Sequence, residues 1–308
     1  MKSASRSFPE TQPVRPALVL SNSTYDEALA ARILRPLGLH ATADTNEMIL
    51  YSVAVGHLVD MATGTVQVVP RFELDLSNSP AGATLFCDIG AMVTFAHMHL
   101  NGGLAPNGKR VLSPALVAAM QTRQADMPWA LGYDHMGLGW TIRKYGGHTV
   151  VAHTGANAGA HSSLALVPDQ QGAIAVMTNG TTGAAVHATL TTELLRDLFG
   201  VEPPVPVKAP ATPVHVNLDR YTGGFTADDG EVTFTIEDGR LRVAPVTAPG
   251  LLRSFYLMGF PAPGPVLLTP VSDDGRFISD QSLPVWFIDD GTGKPKHVYA
   301  GRIYRRPP

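Results

Sequence analysis

Histidine supplies most of the reactive side chains here, and six of the eleven copies fall between residues 97 and 161: His97, His99, His135, His148, His153 and His161. Imidazole is a common metal ligand, so a zinc site is the first chemistry to weigh. His97 and His99 stand two apart in a helical pattern and point in different directions, which makes them poor co-ligands. His148, His153 and His161 fall on successive predicted strands, with no Cys and no H-E-x-x-H beside them. Neither a metal nor a cofactor is expected. The single cysteine, Cys87, lies in the apolar run Leu85-Phe86-Cys87-Asp88-Ile89 and reads as a small buried hydrophobe. Gly291-Thr292-Gly293-Lys294 has the composition of a phosphate loop but lacks its glycine spacing and helix, and Pro295 follows at once, so it reads as a hairpin turn. Trp129, Tyr133, Trp140 and Tyr145 could line a groove, though core packing is the better reading.

The elements that must position these residues change character along the chain. Tyr25 to Leu34 reads as a helix capped by Thr24 and stopped by Pro36 to Gly38. Ile89, Met92, Val93, Ala96 and Leu100 recur at helical spacing within residues 87 to 101, and Asn101-Gly102-Gly103 ends that helix. Ser113-Pro114 opens a third, through Met120. From Gly137 the period becomes two: strands over Trp140 to Tyr145 and Thr149 to His153 flank the turn Gly146-Gly147. Strands at Ser162 to Val167 and Ala173 to Thr178 extend an antiparallel meander, and Thr189 to Phe199 is a last helix. The proline-rich stretch Val201 to Val216 is an extended linker. Beyond it, Asp229-Gly230, Asp238-Gly239, Asp274-Gly275 and Asp290-Gly291 punctuate short strands, one of which alternates Val232, Phe234 and Ile236 with polar residues. That pattern predicts a small barrel or sandwich.

In this order the segments resemble the β-lactamase and penicillin-binding-protein type of serine hydrolase. Ile33-Leu34-Arg35-Pro36-Leu37-Gly38-Leu39 is similar to that family's I-x-x-P-L-G segment. Asn101-Gly102-Gly103 followed by Leu112-Ser113-Pro114 resembles its N-G-G and L-S-P helix junction, and Leu138-Gly139-Trp140 its L-G-W strand. His153-Thr154-Gly155-Ala156 looks like its K-T-G element, often H-x-G in esterase and peptidase branches. The resemblance covers roughly residues 24 to 200 and implies an α+β fold: an antiparallel sheet packed with helices over residues 1–200, a linker over 201–216, and a small all-β, barrel-like domain over 217–308. The last is similar to the lipocalin-like domains appended to some peptidase members.

The family acylates a serine, a poor nucleophile that needs an adjacent base; in S-x-x-K the base lies one helical turn away. By the resemblance, His153 holds the K-T-G cation position, Thr154 offers a hydroxyl, Gly155 allows close approach of substrate, and the Ala156 amide donates to an oxyanion. Histidine would bind an anion or relay a proton only in the right protonation state. The pattern also departs from the family. Lys109, Lys144, Lys208, Lys294 and Lys296 follow Pro106, Thr141, Val205, Gly291 and Gly293 at the S-x-x-K distance, and Lys2 has no such position. Thr141 and Lys144 fall in a predicted strand, where residues three apart face opposite sides. Ser21-Asn22 resembles the end of a Y-S-N element with Leu20 in place of tyrosine. It is either a remnant beside a deletion or, as favoured, a turn ahead of the first helix.

A net charge of −3 gives no reason to expect nucleic acid or an anionic membrane as partner. No apolar run is long enough for a membrane span. Met1 to Pro16 has no apolar signal core, so the chain as written is expected in the cytoplasm, or in the periplasm or outside the cell if translation starts upstream. The missing family portion would leave a sheet edge open, which predicts a homodimer or pairing with a separate amino-terminal half. Three functions stay open: a hydrolase of ester, peptide or β-lactam acyl substrates, a non-catalytic member of that family, and a ligand binder through the terminal β-domain.

Overall fold

The computed structural model describes residues 23–44, 47, 53–60, 63–70, 85–127, 134–202, 208–212, 214–227, 230–247, 264–280, 283–288 and 293–307. Ser21, Asn22, Trp129, Tyr133 and the apolar stretch 251–260 lie outside them. The chain forms two compact units, residues 1–119 with 152–194 and residues 120–151 with 195–308.

In the first unit, helix α1 runs from Tyr25–Leu29 through a π-helical turn, Ala30–Leu34, to Arg35–Leu37. Thr24 and Glu27 close a reciprocal capping box at its start. The sequence places the stop at Pro36 to Gly38; the helix carries that proline in its last turn and ends at Gly38, φ 67°. The widened turn just before it explains the tolerance. Proline has no N–H to give and its ring crowds the carbonyl four residues back, and a π turn shifts both. Short strands follow: β1 (Ala41–Thr42), β2 (His57–Val59), β3 (Val66–Val68) and β4 (Phe86–Cys87), paired β1 with β4 and β2 with β3. Helix α2 (Ile89–Leu100) starts on Asp88, whose carboxylate accepts from the Ala91 amide at 2.7 Å. Met98 buries against Leu37 and Ala105, with Ile33, Phe95 and Leu112 around them. Helix α3 (Pro114–Met120) begins at the expected proline.

A sheet carries the site. Strands β5 (Ala125–Asp126), β6 (His135–Met136), β7 (Thr141–Tyr145), β8 (His148–Asn157), β9 (Ala160–Val167) and β10 (Gly172–Thr178) follow one another in sequence order across it. Strand β8 passes from the second unit into the first, so its end, with β9 and β10, belongs to the first. Residues Ser163 to Val167 of β9 are all buried, which means both faces of that strand are covered. Helix α2 packs on β9 and β10. Helix α4 (Gly183–Phe199) lies beside β9, with Thr191 Oγ1 3.4 Å from Ser163 Oγ.

In the second unit, strands β11 (Gly223–Ala227), β12 (Gly230–Glu237), β13 (Arg240–Thr247), β14 (Val266–Pro270), β15 (Arg276–Ser279), β16 (Pro284–Ile288), β17 (His297–Tyr299) and β18 (Ile303–Arg305) close into a barrel, β11 meeting β18 at Thr226 and Arg305. Asp238 and Gly239, both at positive φ, make the two-residue turn expected between β12 and β13. Val232 and Phe234 face inward, whereas Ile236 is 44% exposed because it lies beside that turn at the rim. Phe225, Phe234, Phe277 and Phe287 are fully buried along the barrel axis, with ring centroids 4.8 to 5.9 Å apart. Aromatic rings at those separations fill a small barrel; its interior is a packed core.

Candidate functional site

The tight turn Gly146-Gly147 sends the chain back from β7 into β8. Strand β7 has five residues and β8 has ten, so β7 can accompany only the first half of β8. Residues 153 to 156 run beyond it. On one side they meet β9; on the other, among the described residues, no strand lies alongside. Backbone donors and acceptors on that open edge suit an extended ligand that adds itself to the sheet. His153, Thr154 and Gly155 are exposed there, and Ala156 is half-buried.

Gly155 has an internal reason as well as a substrate-facing one. A β-carbon at that position would stand 2.7 Å from the Ser162 hydroxyl on β9. The absent side chain lets the two strands and that serine approach. The strand therefore continues through Gly155 to Asn157, four residues past the predicted end at His153.

The far end of β8 is held by contacts that no sequence pattern announced. The turn Ala158-Gly159 joins β8 to β9, with Asn157 Oδ1 accepting from the Ala158 amide at 2.7 Å. Strand β2 wedges against this turn. The His57 amide donates to the Gly159 carbonyl at 3.1 Å and to the Asn179 carbonyl at 2.9 Å, and Thr181 donates back to the His57 carbonyl at 3.0 Å. The Asn179 side chain donates to the Val55 carbonyl at 3.1 Å. Gly56 packs so tightly that a β-carbon there would fall 2.0 Å from the Ala158 carbonyl oxygen. His57 is the positioning residue that sequence reasoning missed. A lone histidine after a glycine in an apolar run carries no periodic signal, and its partners lie more than a hundred residues away.

A second support sits on the other side of β9 from the open edge. His187, on α4, bonds Thr178 Oγ1 at 3.2 Å and packs edge-on to His161, ring centroids 6.2 Å apart. Both histidines are buried. Burial pushes the His187 pKa down, and the His161 ring adds to this, while a hydrogen bond with the Ser162 backbone works the other way. Gly183 allows this close approach, since a β-carbon there would overlap Thr178 Oγ1.

The remaining histidines do not assemble. His97 is exposed while His99, two residues on, is buried against Phe95, ring centroids 4.7 Å apart. Among the described residues no three His, Cys, Asp or Glu side chains come together in a metal-holding group. Burial, with the charge of Asp88, raises the Cys87 pKa, which keeps the thiol from being a ready nucleophile. Thr141 and Lys144 lie on β7, a strand, and so do not form a helical pair. No helix among the described residues is long and apolar enough to cross a membrane.

Comparison with known proteins places the chain in a family. A profile of the Beta-lactamase family matches residues 18–197. The chain is similar to Penicillin-binding protein 4 of Amycolatopsis lactamdurans, 33% identical over 215 residues that make up 69% of this chain and 56% of that protein. Its fold is similar to the crystal structure of SurE, with a TM-score of 0.69 at 21% identity, over 94% of this chain and 64% of that one. It is also similar to the octameric penicillin-binding protein homologue from Pyrococcus abyssi, with a TM-score of 0.50 at 16% identity, over 93% and 61% of the two chains. At such identities the structural likeness speaks to the fold alone. The chain spans little more than half the length of the curated relative it matches.

Proposed function

This chain belongs to the beta-lactamase family, and from that premise we propose that it carries the strand-edge half of an acyl-transfer site and binds its substrate without acylating itself. The substrate class is a small-molecule or peptide acyl compound: an ester, a peptide or a β-lactam. His153 contacts the anionic end of the ligand, Thr154 offers its hydroxyl, Gly155 admits the ligand to the backbone, and the Ala156 amide points at the acyl oxygen. The observation that carries this reading is the stretch of β8 beyond the reach of β7, exposed and open on one edge.

The missing step is nucleophilic. No lysine of this chain follows a serine at the spacing that stacks the two on one helical turn. Without that pair a serine hydroxyl stays protonated and slow. A partner segment bringing a serine and its base to the open edge of β8 would complete the reaction. The reading of the terminal domain as a ligand-binding barrel is less well supported, because phenylalanine rings occupy its axis.

Titration calorimetry with a penicillin, an ester and a short acyl-peptide tests the proposal. Saturable, reversible binding is expected, and His153→Ala should weaken it by roughly 10- to 100-fold, as for loss of a hydrogen bond to a charged group. No binding by the intact chain, or binding untouched by that substitution, would remove the basis for the assignment.

A further inference from the structure

Strand β9 is buried on both faces from Ser163 onward, but Ser162 is only half-buried. Its neighbours follow from the pairing. The turn of Ala158 and Gly159 sets Asn157 opposite Ala160, and counting back along both strands sets Gly155 opposite Ser162. The 2.7 Å between a β-carbon at 155 and Ser162 Oγ agrees. On its other side Ser162 is paired with Met177 of β10, which is 40% exposed. Directly opposite residues share a face of the sheet, so Gly155, Ser162 and Met177 form one row across three strands. In that row glycine offers no side chain and methionine only a thioether, which leaves the serine hydroxyl as its strong hydrogen-bonding group. Among the described residues that hydroxyl has no hydrogen-bond partner, whereas Ser163, on the opposite face, has its Oγ 3.4 Å from Thr191 Oγ1. The partner of Ser162 is water or a group that lies over Gly155.

We propose that Ser162 is a specificity-determining residue of the strand-edge site: its hydroxyl hydrogen-bonds the side group of an acyl-peptide that lies across Gly155, and so selects a group with the reach of a glutamine side chain. This rests on the reading of β8 as the edge that takes an extended ligand. A ligand strand added there stands ~4.8 Å from β8, and its residue opposite Gly155 turns a side group to the face that bears Ser162. Any other residue at 155 would put its own side chain in the path. The hydroxyl stands 2.7 Å from the place a β-carbon would take, on the β9 side. With ~2.9 Å for the hydrogen bond, the polar atom of the ligand lies about 5 Å from its own Cα. Asparagine falls short of that, and glutamine, whose amide oxygen is four bonds from Cα, reaches it. An apolar group of equal length displaces water from the hydroxyl without replacing its hydrogen bond. His153 shares this face two residues earlier and would also respond to a charged group, so an uncharged amide reports on Ser162 alone.

Titration calorimetry of the full chain with acetylated tripeptides tests this. Glutamine is placed in turn at each position of an otherwise all-alanine peptide, beside a matching series with norleucine, which has the same length without the amide. At one position glutamine should bind roughly 3- to 10-fold tighter than norleucine, the worth of one neutral hydrogen bond that replaces water. Ser162→Ala should bring that ratio to one, weakening the glutamine peptide and leaving the norleucine peptide as it was. Ser163→Ala, on the opposite face, should leave the ratio unchanged. His153→Ala should weaken both series alike. Equal affinity for glutamine and norleucine at every position, or a preference that survives Ser162→Ala, would overturn the inference; the strand-edge reading would then still stand if the peptides bind and His153→Ala weakens them. No binding by either series would remove both. Because equal affinities on the unaltered chain suffice to sink the proposal, the test does not hang on any variant folding.

Discussion

A single added methyl group probes the support beneath the site. At Gly159, φ 61°, a β-carbon would fall 2.5 Å from the His57 amide nitrogen and 2.7 Å from the Gly56 carbonyl carbon. Backbone cannot step aside as a side-chain tip can, so Gly159→Ala should cost roughly 2–4 kcal/mol in denaturant unfolding. If it leaves stability unchanged, the β2 wedge does not hold the turn. Ser162 can rotate its hydroxyl away from a methyl at 155, so Gly155→Ala should cost much less. Acid acts at the same scale. Burial lowers the His99 pKa from 6.5 to about 4, and His187 is shifted in the same direction. The unfolded chain therefore takes up these protons first. Stability present above pH ~6.5 is lost as pH falls towards about 4. A thermal midpoint that drops across this window, and drops less in His99→Leu, is the expected result. His153-Thr154-Gly155-Ala156 stood out in the sequence because it is a local pattern that resembles K-T-G. His57 did not, since its role exists only through the distant Gly159 and Asn179 carbonyls and the Thr181 amide.

Elements announced themselves where their ends are set locally. Thr24 caps the helix it precedes, and Asn101-Gly102-Gly103 ends α2, with Gly103 at φ 89° and no room for a β-carbon beside the Leu112 carbonyl. The start of α4 at Gly183, six residues before the expected Thr189, was hidden because glycine is among the poorest helix formers and reads as loop. What begins the helix there is tertiary: the fit of Gly183 against Thr178 and of His187 between Thr178 and His161. Strand β8 outran its expected end for a related reason, since glycine ordinarily weakens a strand but here admits Ser162. Helix α2 gives a prediction at this scale. Its stripe Ile89, Val93, His97 faces outward, with Ile89 48% and Val93 53% exposed. Replacing both with Ile89→Lys and Val93→Glu should shift stability by no more than about 0.5 kcal/mol each while raising solubility. A large loss of stability would mean that the stripe is covered in solution.

For the molecule as a whole, composition and turn spacing pointed to a sheet with helices followed by a small β-structure, and both are present. Turn spacing alone left barrel and sandwich open, because the choice turns on β11 meeting β18, two strands some eighty residues apart in sequence; the family resemblance pointed to the barrel, which is present. Phe287 lies among Tyr221, Phe225, Phe234 and Phe277 at the centre of the barrel. Phe287→Ala should cost about 3–5 kcal/mol of barrel stability, and the unaltered barrel should take up no apolar dye, since among the described residues packed phenylalanine rings fill its interior. Dye binding that saturates at one molecule per chain would reopen the ligand-binding reading of this domain. The proposed function makes a different claim, that an acyl compound adds itself to the open edge of β8 and that no serine of this chain is acylated. Intact-mass measurement after incubation with a penicillin and with a fluorophosphonate tests that most directly. The unmodified mass is predicted with both reagents; an added acyl or phosphonyl mass on any serine would contradict it.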